Sequence, residues 1–544
     1  MRTSVRKLPP KIQFSTYLLQ RDVRTAAQAL REEYRPKGER NHEIQSVPCS
    51  AAGGSARAFL RISPPDEQTP GWAEQLDWQI HGLASLRSPS VGLLVIVPCG
   101  HRLIAFTFGQ GRHLLDPDAY EPGFGLRAGA RTLDRDHMRH SELRSIDATG
   151  PLRTTTFPIH QDVDAFGFDF DGDWVCRLTG RTAVDDGDDT PSTVTAGDSY
   201  RLPCVADIDV ALQKARRLVD LLNIPLQDDD PLAIVEDMTP LRRGSREVTH
   251  LENRLVDTVS RGDLTTSGIA PVEPFDFADI DRFDLLLPGG KRYPVADFAI
   301  EAVLELLTGL KGPLTTAMLS RVRLVAVSTT GNDQINEPLR RWIVHETTDG
   351  QATWLLTLGR WFQVKQTRID RIEKQIRQIP VDRGLGLIPW QRSWSEKHYN
   401  TEAAKALGNA VCMDTKLGRS ALGRTFVEHC DILLRDRTFI HVKRADSSQS
   451  LSHLFTQGAA STLLLVDRDE AFIRDLCRHL DKLSPGHPAA TNPWPSKVIY
   501  AIATPPRHQL PQGLFTIAKV ALISQYRTIR RLQVPVAIAQ VDLV

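Results

Sequence analysis

Asp431, His441 and Lys443 are the side chains of this 544-residue chain whose types and spacing point most directly to chemistry. They fall in the stretch Phe426–Arg444, which reads as two short strands, Cys430–Leu434 and Phe439–Val442, joined by a turn at Arg435–Thr438. Strand side chains alternate with period two. Phe439, His441 and Lys443 therefore share one face, while Ile440 and Val442 face the other way, into a core. Asp431 enters from the neighbouring strand, and His441 and Lys443 are expected to project together into a cleft. A carboxylate so placed can hold a divalent cation, and a ligand on the second strand can complete its coordination. A lysine beside them can orient the attacking water and neutralise charge at a pentacoordinate phosphorus. That is the layout of a metal-dependent phosphodiesterase.

The residues around this stretch extend the pattern. Ser393-Trp-Ser-Glu396 has the spacing of a helix capping box and opens a helix running to Leu407, which carries Glu402. Glu428 lies three residues before Asp431 and competes with Glu402 for the same ion. Lys416–Arg424 is a basic, glycine-punctuated loop whose Lys416, Arg419 and Arg424 suit a phosphate backbone. Arg444 has the same chemistry. Downstream, Ser450–Ser461 reads as a helix with Leu451, Leu454, Phe455 and Ala459 on its apolar face. Ser450, His453, Gln457 and Ser461 lie on the polar face.

Together these segments resemble the PD-(D/E)XK nucleases. Asp431 matches the aspartate of the motif, Lys443 the lysine, Glu402 the acid on the helix before the core sheet, and Gln457 the recurrent glutamine on the helix that follows. The resemblance implies a restriction-endonuclease-like domain. Its metal would be held by Asp431 with Glu402 or Glu428, and Asp431, His441, Lys443 and Gln457 would act at the reacting phosphate. Lys416, Arg419, Arg424, Arg444, Ser450 and His453 would contact the nucleic acid. His441 stands where an acid is usual. Imidazole is a poor ligand for hard Mg²⁺ and suits Mn²⁺ or a softer ion, or the role of a base. The implied cofactor is Mg²⁺ or Mn²⁺.

Other chemistries lack their signatures. No phosphate-binding GxxxxGK[ST] loop, HExxH zinc motif or GxSxG nucleophile elbow occurs. Gly109 and Gly111 read as a plain turn. The seven cysteines are scattered, never in a CxxC pair, and read as reduced thiols rather than as a disulfide or zinc framework. Sixty-seven basic residues nearly cancel 66 acidic ones, leaving +1, which argues against a bulk polyelectrolyte binder. The longest apolar run, Val91–Val97, is far short of the ~20 residues that cross a bilayer, so a cytoplasmic protein is expected.

The length implies more than one folded unit, and the expected class is α/β or α+β multidomain. An N-terminal α+β domain is expected over 1–235, a middle α+β region over 236–380, and the nuclease-like α/β domain over 381–544. The last boundary is set where Pro380, Gly384, Gly386 and Pro389 crowd together. Expected elements include a strand at Ile12–Leu19, a helix capped by Asp22, a hairpin 91–97/102–108 and an acidic loop at Val184–Gly197. Helices are expected at Ile208–Leu222, Val295–Leu307 and Thr367–Gln378. The C-terminal sheet should contain 430–434, 439–443, 462–466, 497–503 and 534–541.

Over most of its length the chain also resembles a sporadically distributed bacterial family of unknown function found near mobile or defence loci. That likeness is carried by Lys11–Asp22, Phe106–Leu115, Phe166–Asp169, Leu358–Phe362, Ile440–Arg444 and Leu451–Gly458. It implies a setting of defence against phage or foreign DNA. The alternatives are an inactive nuclease fold acting as a nucleic-acid-binding or scaffold protein, and a toxin that acts on RNA. The expected partner is DNA or RNA, with no membrane and with self-assembly left open.

Overall fold

Alternation of apolar side chains dominates the first part of the chain, and it builds a sheet that buries both faces. A computed structural model describes residues 11–35, 44–63, 90–147, 152–183, 191–227, 229–273, 279–350, 352–420, 426–506 and 508–544. The chain divides into two compact units. One comprises 1–144, 152–168 and 174–243, and the other 145–151, 169–173 and 244–544.

The first unit is built on a ten-stranded sheet. The expected hairpin is present as Ser90–Cys99 and Arg102–Gly109, and Lys11–Leu18 lies antiparallel between Arg102–Gly109 and Tyr200–Val205. Leu94 and Ile96 pack with Tyr17 and Leu114 on one side, whereas Val95 and Val97 pack with Phe14 and Phe106 on the other. Helix Ile208–Leu221, capped by the Asp207 carboxylate, buries Ala211, Leu212, Ala215 and Leu218.

Two expectations for this unit are corrected. The helix capped by Asp22 is instead the single turn Ala26–Ala29, capped by Thr25 with Gln28 closing the box. It stops because Leu30 turns extended and bridges to Leu115. Within the expected loop Val184–Gly197, Thr193–Ala196 is a strand paired to its neighbours on both sides, while 184–190 lie outside the described residues. Gly111 serves close packing, since a Cβ there would lie 2.0 Å from the Leu93 carbonyl oxygen.

The second unit contains an antiparallel set Ser267–Ile269, Ile343–Asp349, Ala352–Thr357 and Arg360–Val364, and a four-stranded antiparallel sheet around Ile280–Leu286 and Arg323–Ser328. Its third sheet runs Ala410–Cys412, Ile432–Leu434, Thr438–Arg444, Lys497–Thr504, Val536–Asp542; the first three strands are antiparallel and the last two join in parallel. Ile432, Ile440, Val442 and Ile499 face Trp390, Tyr399 and Ala403, the latter two on helix Glu396–Leu407. Leu433 and Phe439 face Leu465, Phe472 and Leu476 on the opposite side.

Residues 462–466 are not a strand of this sheet, as expected from their apolar run, but the last turn of helix Ser448–Val466. An apolar run of this length has no period that separates strand from buried helix. Here Ser461 Oγ donates to the His429 carbonyl (2.6 Å) and Thr462 Oγ1 to the Gly458 carbonyl (2.7 Å), both within a helix buried along most of its length. The edge strand Ala410–Cys412 completes the sheet instead. The helix expected at Val295–Leu307 is displaced to Ile300–Lys311.

Residues 380–390 lie inside the second unit and run as a strap along the last strand. The Ile538 N–H donates to the Pro380 carbonyl (2.9 Å) and the Trp390 N–H to that of Asp542 (2.8 Å). Two polar side chains join the middle residues to the C-terminal ones. Gln449 Oε1 accepts the N–H groups of Ile269 (3.1 Å) and Ile300 (3.2 Å), and its Nε2 donates to the Phe298 carbonyl (3.0 Å). The buried Glu346 carboxylate accepts the first N–H groups of helix Thr516–Arg531, from Thr516 (3.0 Å) and Ile517 (2.9 Å). Among the described residues no helix is long and apolar enough to cross a membrane.

Glu346→Ala would leave both helix donors unpaired in a buried position, so it should lower stability by about 2 kcal/mol. Glu346→Gln, which keeps one acceptor, should cost less. Urea denaturation midpoints of the three proteins check this ordering.

Candidate metal centre

Asp431 sits immediately before its strand, held by its own backbone: its N–H donates to the Ile440 carbonyl (3.0 Å) and its carbonyl accepts from Met413 (2.7 Å). That placement turns its carboxylate towards the strand of Lys443. Oδ2 accepts the Val442 N–H at 2.7 Å, and Oδ1 accepts from Asn400 Nδ2 at 3.3 Å. Asp431 is only 4% exposed. Burial, with Glu428, Glu396 and Asp414 close by, holds its carboxyl well above the usual range.

Two further acids converge on it. Glu428 ends strand Phe426–Glu428; its carboxylate accepts Gln457 Nε2 at 2.6 Å and also the Thr415 N–H. Burial raises its pKa as well, against the lowering effect of those bonds. Asp414 lies in the turn after Met413, where Thr415 adopts a positive φ of 62°. Ligand atoms of Asp414, Glu428 and Asp431 all lie within 4.8 Å of one another.

Lys443 is half-buried at the end of its strand, and its Nζ lies 3.0 and 2.9 Å from the two carboxylate oxygens of Glu396. Helix Glu396–Leu407 starts where Ser395, not Ser393, accepts the His398 N–H, so Glu396 is its first residue. Glu402, the acid expected here, is six residues on. Six steps of ~100° put it on a different side of the helix. It pairs with Lys405 at 2.7 Å and is not part of the cluster.

His441 is corrected most sharply. It shares a strand face with Lys443 but lies two residues deeper, under helix Ser448–Val466 and beside Tyr500. Gly458 permits this approach, because a Cβ there would lie 2.6 Å from Tyr500 Cε1 and 3.0 Å from His441 Cδ2. The ring is fully buried and both its nitrogens lack hydrogen-bond partners among the described residues. Burial pulls its pKa down to about 4, and its ring nitrogens are not among the ligand atoms that converge in the cluster of Asp414, Glu428 and Asp431.

The residues expected to touch nucleic acid are placed unevenly. Ser450 is not free: its Oγ donates to the Ser447 carbonyl (2.8 Å) and accepts the Ser447 N–H in a capping box that starts the helix earlier than expected. Arg444 is paired with Asp446 at 2.7 Å. His453 is exposed and neighbours the charges of Lys443, Glu396 and Asp297. Lys416 and Arg419 lie on the approach to Glu428, in and next to a two-stranded hairpin with Phe426–Glu428. Arg424 lies outside the described residues.

The donor set suits a hard divalent cation. It is made of carboxylate oxygens, the ligand type that Mg²⁺ and Mn²⁺ take. Asp414 Oδ2 and the Oδ1 of the fully buried Asn400 have no hydrogen-bond partner among the described residues. Asp414 and Glu396 escape a sequence reading. The first has only a turn around it, and the second is absorbed by its capping-box spacing.

The chain belongs to a family of unknown function (DUF6119), whose model matches residues 14–542. No curated protein and no solved structure matches it.

The raised pKa of Asp431 sets a sign for pH dependence. In the metal-free protein the folded state keeps a proton on Asp431 that the unfolded chain gives up near pH 4. Stability from this group is therefore full below that pH and falls as pH rises towards the folded pKa. Asp431→Asn should raise the metal-free melting temperature at pH 8 by a few degrees and flatten its fall with pH. Mn²⁺ should stabilise wild type and not the variant. Thermal melts from pH 5 to 8, with and without Mn²⁺, read both effects.

Proposed function

We propose that this member of the family is a metal-dependent nuclease that hydrolyses nucleic-acid phosphodiester bonds. One observation carries the reading: ligand atoms of three carboxylates from separate elements, Asp414, Glu428 and Asp431, meet within 4.8 Å, and the strand next to Asp431 carries Lys443, which pairs with Glu396. The order helix Glu396–Leu407, three antiparallel strands, helix Ser448–Val466 and parallel strand Lys497–Thr504 supports the restriction-endonuclease-like core that the PD-(D/E)XK resemblance implies. In that reading Glu396 takes the helix position first given to Glu402.

Asp414, Glu428 and Asp431 would hold Mg²⁺ or Mn²⁺. The ion, when bound, supplies a more acidic water and a Lewis acid for a phosphoryl oxygen. The chain's own residues do the rest. Gln457 fixes the rotamer of Glu428 through its 2.6 Å bond, and Asn400 and the Val442 N–H fix Asp431. Glu396 aims the Lys443 ammonium, which orients the attacking water and offsets negative charge as one P–O bond forms and the other breaks. The attacking water gives up a proton to solvent, and the departing alkoxide takes one from solvent. Action against phage or foreign DNA is the setting suggested by the defence-associated likeness of the whole chain.

Purified protein with Mg²⁺ or Mn²⁺ should cut DNA or RNA, and EDTA should stop it. Lys443→Ala should lower the rate at least ~100-fold with folding intact. Glu396→Gln should also slow cleavage, whereas Glu402→Gln should leave it unchanged. Absence of cleavage under either metal, with nucleic-acid binding that survives Lys443→Ala, would instead favour a non-enzymatic binding protein.

A further inference from the structure

The hairpin formed by Leu417–Arg419 and Phe426–Glu428 carries side chains that the metal centre does not use. Its register sets Leu417 opposite Glu428, Gly418 opposite Val427 and Arg419 opposite Phe426. Directly opposed residues of an antiparallel pair share a face, and every second residue returns to it. Leu417, Arg419, Phe426 and Glu428 therefore lie on one face, with Gly418 and Val427 on the other.

The Gly418 face is closed. A Cβ on Gly418 would lie 2.4 Å from Phe472 Cδ2 and 2.7 Å from His429 Nε2, so the ribbon is pressed onto helix Glu470–Leu483. The Arg419 N–H donates to Asp475 Oδ2 on that helix (3.0 Å), and His429 stacks on Phe472 at 4.2 Å. The other face is open. Phe426 is 54% exposed and Leu417 45%. The Arg419 guanidinium sits over the Phe426 ring, 5.1 Å from its centroid. At the inner end of this face, Glu428 enters the metal centre. Phe426 is two residues away from it, about 7 Å along the strand.

An exposed aromatic ring and an arginine on a firmly anchored ribbon, one short step from a phosphodiester-cleaving centre, match the chemistry of an unpaired nucleotide. The ring offers a surface for a base and the guanidinium a partner for a phosphate. We propose that Phe426 and Arg419 form a stacking platform for a base next to the scissile phosphate, so that the substrate is taken as a single strand. The proposal rests on the nuclease reading of the centre. Selectivity follows from stacking: bases of a duplex are already stacked and shielded, so a duplex gains nothing from the ring and must unpair to use it.

The test uses the full chain carrying Lys443→Ala, in Mg²⁺, with a fluorescently labelled oligonucleotide offered as single-stranded DNA, single-stranded RNA or duplex DNA. Anisotropy should show either single strand bound more tightly than duplex, and the two single-strand arms distinguish the sugar. Adding Phe426→Ala should weaken single-strand binding roughly tenfold, with little change for duplex. Phe426→Trp should restore it. A 2-aminopurine base in the strand should be quenched by the protein that keeps Phe426 and not by the Phe426→Ala variant. Equal binding of single strand with and without the Phe426→Ala change, or tighter binding of duplex, overturns the platform. Cleavage separates the two ideas. If the otherwise wild-type protein cuts and Phe426→Ala cuts single strands as fast, the nuclease reading stands and the platform falls. If Phe426-dependent binding occurs without cleavage in any metal, the nuclease reading falls and the platform remains as a binding surface.

Discussion

The Asp431 carboxylate accepts the backbone N–H of Val442, and through this 2.7 Å bond the acidic cluster is tied to the strand that carries Lys443. The Asp431 backbone is itself engaged with Ile440 and Met413. Val442 adjoins Lys443, whose ammonium is itself held by Glu396. The contact with Val442 holds a carboxylate in a buried site beside other acids, where its charge is unfavourable without a proton or a cation.

The surrounding apolar packing offsets that penalty. Ile432, Ile440, Val442 and Ile499 on one side and Leu433 and Phe439 on the other are buried to within a few per cent, each worth about 1.5–3 kcal/mol on transfer from water. Helix Ser448–Val466 serves both purposes. Gly458 lets it close over Tyr500 and His441, and one residue earlier Gln457 reaches Glu428. At its first turn Gln449 binds backbone groups of the middle residues. The centre is thus built on a unit that extends from 244 to the last strand, rather than on a C-terminal piece alone.

Packing and exposure divide the hairpin beside Glu428 in the same way. Gly418 brings one face against Phe472, which fixes where the opposite face points. An exposed Phe426 on a floppy loop would collapse onto the nearest apolar surface. On an anchored ribbon it stays presented, with Arg419 above it.

Local pattern alone determined the elements whose period is unambiguous: the strands at 11–18 and 438–444, the hairpin 90–109, the helices at 208–221 and 366–376, and the neighbourhood of Asp431, Glu428, Lys443 and Gln457. It failed where local signals are degenerate. The run at 462–466 fits strand or helix, the Pro and Gly cluster at 380–390 fits linker or strap, and Ser393 or Ser395 can cap the same helix. Only the tertiary structure decided which acid on that helix meets Lys443, that Asp414 joins the cluster, and that His441 is sealed under Gly458. The reason is physical. Period places a side chain on a face, but depth along that face, and hence contact with water, a charge or a cation, is set by what the rest of the chain packs against it.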